Sequence, residues 1–216
     1  MRKIFTTALL AMLGASAFAQ TSQGTVSVQG SVGFRNENRN ETNVDYRDLH
    51  SSRSINLNPS VGYFLNAGLE LGAGLGLEHN AYRYKWDEGE SYSRYNSISL
   101  RPYARKYVAI TEQLQLHGTG FVSLGLGNQK SGSNGDSSSE VISKSTTLGI
   151  GIYPGLTYFV TPKLGFTARF GSLSFTRLRN KPGEGAYNPT PTTYNTFNAD
   201  LSPTSVGIGI GYFIAR

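Results

Sequence analysis

The stretch Ile55-Asn-Leu57-Asn-Pro59-Ser-Val61-Gly-Tyr63-Phe64-Leu65 places an apolar residue on nearly every second position and closes on an aromatic pair. Three further segments alternate in the same way, and each closes on a tyrosine. They are Ile98-Ser-Leu100-Arg-Pro102-Tyr-Ala104-Arg-Lys-Tyr107-Val108, Ile150-Gly-Ile152-Tyr-Pro154-Gly-Leu156-Thr-Tyr158-Phe159-Val160 and Val206-Gly-Ile208-Gly-Ile210-Gly-Tyr212-Phe213-Ile214. A period of two is the mark of a β-strand, and its return at intervals of tens of residues indicates one repeated hairpin unit.

Outward from these four, the rest of the chain parses into alternating segments as well. Thr25 to Arg35 sets Val26, Val28, Val32 and Phe34 against Ser27, Gln29, Ser31 and Gly33. Leu69 to Leu77 opposes leucine and alanine to Glu70, Gly72, Gly74, Gly76 and Glu78. Leu114, Leu116, Val122, Leu124 and Leu126 oppose Gln115, His117, Thr119 and Ser123, and residues 164–175 set Leu164, Phe166, Ala168 and Phe170 against Thr167 and Arg169. Eight strands result, several of ten residues or more. A tilted strand needs about 9–11 residues to cross a bilayer, against five or six in ordinary soluble strands.

The connections sort by end. Residues 64–68, 109–113 and 161–163 read as tight turns, whereas 36–50, 79–94, 128–140 and 178–203 read as long polar loops. Outer-membrane barrels have short periplasmic turns, long outside loops and an even strand number. The fold expected is therefore all-β: an eight-stranded antiparallel up-and-down transmembrane β-barrel, with both termini on the periplasmic side.

Residues 1–19 read as a secretory signal peptide: basic Arg2-Lys3, a short apolar run from Ile4 to Leu13, and Ala17-Phe18-Ala19 before Gln20. The barrel domain is then 20–216, and no stretch has the length expected of a helical span. The chain has no cysteine, which leaves out disulfides, thiolate metal sites and cysteine nucleophiles. Its formal charge of +6 falls to +4 without Arg2 and Lys3, 18 basic against 14 acidic residues. So mild an excess on an exported chain suits anionic lipid or polysaccharide and gives no reason to expect nucleic acid.

Tyr63, Tyr107, Tyr158 and Tyr212 each fall where a strand meets the short-turn end, and amphipathic rings favour the headgroup level. They are read as a periplasmic aromatic girdle. Pro59, Pro102 and Pro154 lie inside strands, where each removes a ladder donor, so a bulge or fraying is expected at each. Glycines on the inward face, among them Gly72, Gly74, Gly76, Gly207 and Gly209, permit curvature and leave open whether a narrow water path survives.

These features resemble the small outer-membrane β-barrel proteins of Gram-negative bacteria, of the OmpA-barrel and OmpX type, and in particular the outer-membrane protein beta-barrel domain group. The resemblance rests on the proline–tyrosine–phenylalanine phrase, the leader and the last strand Gly211-Tyr212-Phe213-Ile214. It implies outer-membrane lipid and lipopolysaccharide as surroundings, and recognition of the last strand by the barrel-assembly machinery. A monomer without cofactor is expected.

The chemistry-bearing residues admit plain readings. Glu70, Glu78, Arg101, Arg105, His117 and Arg169 form an inward polar set, either a gate or an ion network satisfying itself inside a plugged barrel; the network is the stronger reading. His117 and Ser123 could suggest hydrolysis, but six residues along a strand is about 20 Å, beyond any hydrogen bond. Asp87, Glu88 and Glu90 read as a solvated acidic loop, and no metal site is expected. The Gly-rich residues 127–136 lack the Gly-Lys-Ser/Thr of a phosphate loop. Tyr82, Tyr84 and Trp86, with Tyr92 beyond, are either loop contacts for a ligand or an outer girdle in which Arg83, Lys85 and Arg94 meet headgroups. The functional expectation is a non-enzymatic surface or structural role carried by the outer loops. A narrow pore is the alternative, and a lipid-modifying enzyme or a soluble ligand-binding barrel stand further back.

Overall fold

A computed structural model describes residues 20–42, 47–86, 89–133, 140–183, 190–200 and 206–215. The leader expected over residues 1–19 lies outside them. The described chain is a twelve-stranded antiparallel sheet: β1 (Val26–Gly30), β2 (Val32–Thr42), β3 (Arg47–Leu57), β4 (Ser60–Asn66), β5 (Leu69–Trp86), β6 (Gly89–Ala109), β7 (Leu114–Ser133), β8 (Glu140–Phe159), β9 (Leu164–Phe170), β10 (Ser172–Pro182), β11 (Thr192–Asp200) and β12 (Val206–Ile214). Hydrogen-bonded neighbours run β1–β4–β5–β6–β7–β8–β9–β12 and return to β1, so the ladder closes on itself. Nearer the long-hairpin end, among the described residues, β2 pairs only with β3 and β11 only with β10.

Alternation decides what faces where. Leu71, Leu75, Leu77, Ile98, Leu100, Leu124, Ile150 and Ile208 are all exposed on the outer surface of the ring. Ser27, Glu70, Arg105, Gln115, His117, Thr119 and Thr157 are buried inside it. A soluble barrel would have the reverse parity, because burial of apolar area is what holds such a fold together in water. Here the apolar face is offered to lipid. On β6 the outward face from Ile98 to Val108, apolar but for Lys106 toward the turn, matches a bilayer-spanning length of about 9–11 residues.

The three prolines act differently. Asn58 and Pro59 interrupt the strand and separate β3 from β4, with register against β5 unchanged on either side. Pro102 leaves β6 continuous while the bridges of Arg101 and Pro102 to β7 are missing. Opposite Pro154 the register of β8 changes between Gly155↔Arg169 and Leu173↔Ile152. Gly171, in the left-handed region at φ 67°, supplies the extra residue. This bulge flips the phase of the strand and keeps Leu173 and Phe175 on the outer face, where otherwise they would point inward.

One expectation is corrected at the long-hairpin end. The segments read as long loops are largely paired: β5 runs to Trp86 and β6 starts at Gly89, and β2, β3, β7, β8 and β10 likewise continue past the apolar band. A hairpin projecting into water needs no apolar face to keep its ladder, so alternation stops there while pairing does not. The tight turns are as short as expected. Thr111 Oγ1 accepts from the N–H groups of Gln113 and Leu114, and Thr161 Oγ1 does the same for Lys163 and Leu164.

Candidate functional site

The inward side chains nearest the short turns form a packed aromatic layer. Phe64, Tyr107, Phe159 and Phe213 are at most 4% exposed and pack as one cluster. Ring centroids lie 4.9 Å apart for Phe159–Phe213 and 5.5 Å for Phe64–Tyr107. Three of these are the phenylalanines that follow the girdle tyrosines. In the second segment the tyrosine itself occupies the inward place, because it stands five residues after its proline and not four. Tyr107 therefore does not join Tyr63, Tyr158 and Tyr212, which are 44–47% exposed on the outer face. One extra residue reverses the side to which a strand side chain points.

Above the rings lies a buried polar network centred on Glu70. Its Oε1 accepts from Ser27 Oγ at 2.5 Å and Tyr103 OH at 2.7 Å, and its Oε2 from Tyr107 OH at 3.1 Å. Arg105 is 3.7 Å from the same carboxylate. It donates through Nε to Thr119 Oγ1 at 2.8 Å, and through Nη1 to Gln29 Oε1 at 2.6 Å and Tyr107 OH at 3.1 Å. A buried ion pair is tolerated only when its remaining lone pairs and protons are also satisfied, and here they are. His117 Nδ1 lies 3.5 Å from Thr119 Oγ1, and its ring is 5.3 Å from that of Tyr107. Its Nε2 packs over Gly155 with no hydrogen-bond partner.

The inward glycines are mostly covered. A side chain at Gly62 would overlap the Glu70 carboxylate, one at Gly72 the Tyr103 ring, and one at Gly207 the Arg169 side chain. They are the sockets into which large neighbours fold.

The expected polar set thus splits into three. Glu70, Arg105 and His117 belong to the buried layer at the turn end. Arg101 and Arg169 line a cavity of about 100 Å³ above it, together with Tyr153, Asn58 and Ser60. Glu78 lies further toward the long-hairpin end, exposed, accepting from Asn80 at 2.7 Å and Ser97 at 3.3 Å. Gln29, Tyr103 and Tyr153 belong to the site and carried no signal in the sequence beyond inward parity.

The aromatic stretch also divides. Arg83 pairs with Tyr92, whereas Tyr82 pairs with Ser93 and Tyr84 with Ser91, so Tyr82 and Tyr84 share one face and Tyr92 takes the other. Tyr84 packs on His50 with centroids 4.4 Å apart, and Arg94 lies 5.5 Å over Tyr92. Trp86 pairs with Gly89 at the tip of the hairpin. Glu90 forms an ion pair with Arg83, while Asp87 and Glu88 lie outside the described residues.

The family model described as "Outer membrane protein beta-barrel domain" matches residues 5–213. No curated protein matches the chain. Among solved structures it is similar to the outer membrane protein OprG of Pseudomonas aeruginosa (13% identity, 90% of this chain and 98% of that one, TM-score 0.46). Neisserial surface protein A is 17% identical, covering 90% and 100%, with TM-score 0.43. Ail, the attachment invasion locus protein of Yersinia pestis, is 17% identical, covering 89% and 99%, with TM-score 0.41. With a family match over nearly its whole length, an inside-out parity and a ladder that closes on itself, the chain belongs to the outer membrane protein beta-barrel domain family.

Proposed function

We propose that the twelve segments are eight strands of an up-and-down transmembrane barrel, four of them interrupted, with periplasmic turns and long extracellular hairpins. In this reading the protein is a non-enzymatic, monomeric component of the outer membrane that meets its surroundings through those hairpins. The observation that carries it is the sealed layer: Phe64, Tyr107, Phe159 and Phe213, with the Glu70–Arg105 network above them, fill the interior at the turn end. A barrel of about eight strands is just wide enough for side chains to fill. Outward Arg83, Arg94 and Tyr92 sit above the apolar band, the chemistry suited to lipid or lipopolysaccharide headgroups. An enzymatic role finds no support in His117, whose nearest polar neighbour is Thr119 and whose ring is buried.

A narrow pore remains the second reading, favoured by the cavity at Arg101 and Arg169. Planar-bilayer conductance of refolded protein, with heat-modifiable gel mobility as proof of the barrel, separates the two. A heat-shifted protein without conductance supports the plugged barrel. Steady conductance overturns the plug and makes the pore the function.

A further inference from the structure

The inward face carries more positive charge than it neutralises. Glu70 is the partner of Arg105 at 3.7 Å. Neither Arg101 nor Arg169 has a carboxylate within 4 Å among the described residues. Arg101 Nε is buried without a hydrogen-bond partner, while its guanidinium lies 5.3 Å from the Phe121 ring centroid. Arg169 lies 5.9 Å from the Tyr153 ring centroid, its side chain running across Gly207. The Phe121 and Tyr153 rings are 5.9 Å apart, so this aromatic pair supports both guanidiniums around one cavity of about 100 Å³. Arg101, half-buried, carries the cost of a charge without an ionic partner, while Arg169 is exposed at the cavity and turns its charge toward the same space.

We infer that Arg101 and Arg169 form a binding site for a phosphate group in this cavity. Two uncompensated charges suit a phosphate monoester, which carries about −1.5 to −2 near neutral pH. The guanidinium fork is the side chain that grips such oxygens in pairs. Asn58 and Ser60 add neutral polar groups to the lining. The floor is the sealed layer, so the site rests on the barrel reading given above and deepens it.

Two routes lead in. A free phosphate enters from the long-hairpin end. A lipid phosphate enters from the side, where β12 between Val206 and Gly209 has β9 but not β1 as its partner.

The test is calorimetric titration of refolded protein in a maltoside detergent with inorganic phosphate and, separately, with dodecyl phosphate. Saturable binding is expected, about tenfold or more weaker in Arg101→Gln and Arg169→Gln and unchanged in the outward variant Arg94→Gln. Binding of inorganic phosphate identifies a free solute; binding of dodecyl phosphate alone identifies a headgroup. Arg169→Lys keeps the charge and loses the fork, so it stands in if a glutamine variant does not refold, and its affinity falls between. No saturable binding by heat-modifiable protein, or binding indifferent to both arginines, overturns the site. Conductance fails the plug alone, and lack of binding by a non-conducting barrel fails the site alone.

Discussion

Tyr107 donates its phenol O–H to Glu70 Oε2 at 3.1 Å while the Tyr107 oxygen itself accepts from Arg105 Nη1 at 3.1 Å. The ring below that hydroxyl packs on Phe64. One side chain thus joins the aromatic cluster to the ion pair above it, and the two form a single structure.

Removing the carboxylate strands Arg105 inside the barrel. Glu70→Ala is expected to lower the unfolding free energy by about 3–5 kcal/mol, the cost of leaving one member of a buried pair uncompensated. Glu70→Gln keeps acceptors for Tyr103 and Ser27 and should cost less. Urea unfolding in lipid vesicles gives both numbers, and an alanine variant within about 0.5 kcal/mol of wild type would show that the pair is not buried in the membrane-embedded state.

Inward Tyr107 and outward Tyr63, Tyr158 and Tyr212 make opposite predictions at a lipid surface. In a Trp86→Phe background, tryptophan placed at position 63 or 212 should be quenched by brominated lipid, and tryptophan at 107 should not. Strong quenching at 107 would restore it to the girdle and remove it from the plug.

Much of this was legible in the sequence, and the failures have identifiable causes. Parity alone placed Glu70, Arg105 and His117 inside and Leu71 to Leu77 outside, because a strand offers only two sides. Tyr107 was misplaced because a resemblance between phrases outweighed a count of residues: five from Pro102, against four from Pro59 and Pro154. The bulge at Gly171 shows in the sequence only as a change of phase, from Phe166 and Ala168 before it to Leu173 and Phe175 after it, which reads as one continuous apolar segment. Hairpin extensions such as His79 to Trp86 read as loops, since a ladder in water needs no apolar face to mark it. The partition of the polar set depends on which rings fill the glycine sockets, a matter of three-dimensional packing.

Those sockets can be tested by adding one carbon. A Cβ at Gly155 would meet the His117 ring and the Ala168 carbonyl oxygen at 2.8 Å, and the latter is backbone that cannot turn aside. Gly155→Ala should cost about 1–3 kcal/mol, as overpacking does. At Gly118 a Cβ meets nothing within 4 Å, and Gly118→Ala should be neutral or stabilising by about 0.4–1 kcal/mol through the unfolded chain. Equal effects in urea unfolding would contradict the packing described for the β7–β8 interior.

Closure of the ladder depends on one pairing that chain connectivity does not impose, β1 with β12, at the two ends of the barrel domain. The register sets Val28 against Tyr212 and Ser27 against Phe213. Directly opposed Cα atoms of an antiparallel pair are about 4.5–5.5 Å apart, inside the range a disulfide spans. The native chain has no cysteine to interfere. Val28→Cys with Tyr212→Cys should therefore oxidise readily in the folded protein and join the ends, so that the denatured chain runs as a ring with altered gel mobility until reduced. Moving one partner by a single position, to Val28→Cys with Phe213→Cys, turns the second thiol to the inner face and should abolish the link. Equal cross-linking by both pairs, or by neither, would mean that β1 and β12 are not held in this register and that the ring is open where it has been described as closed.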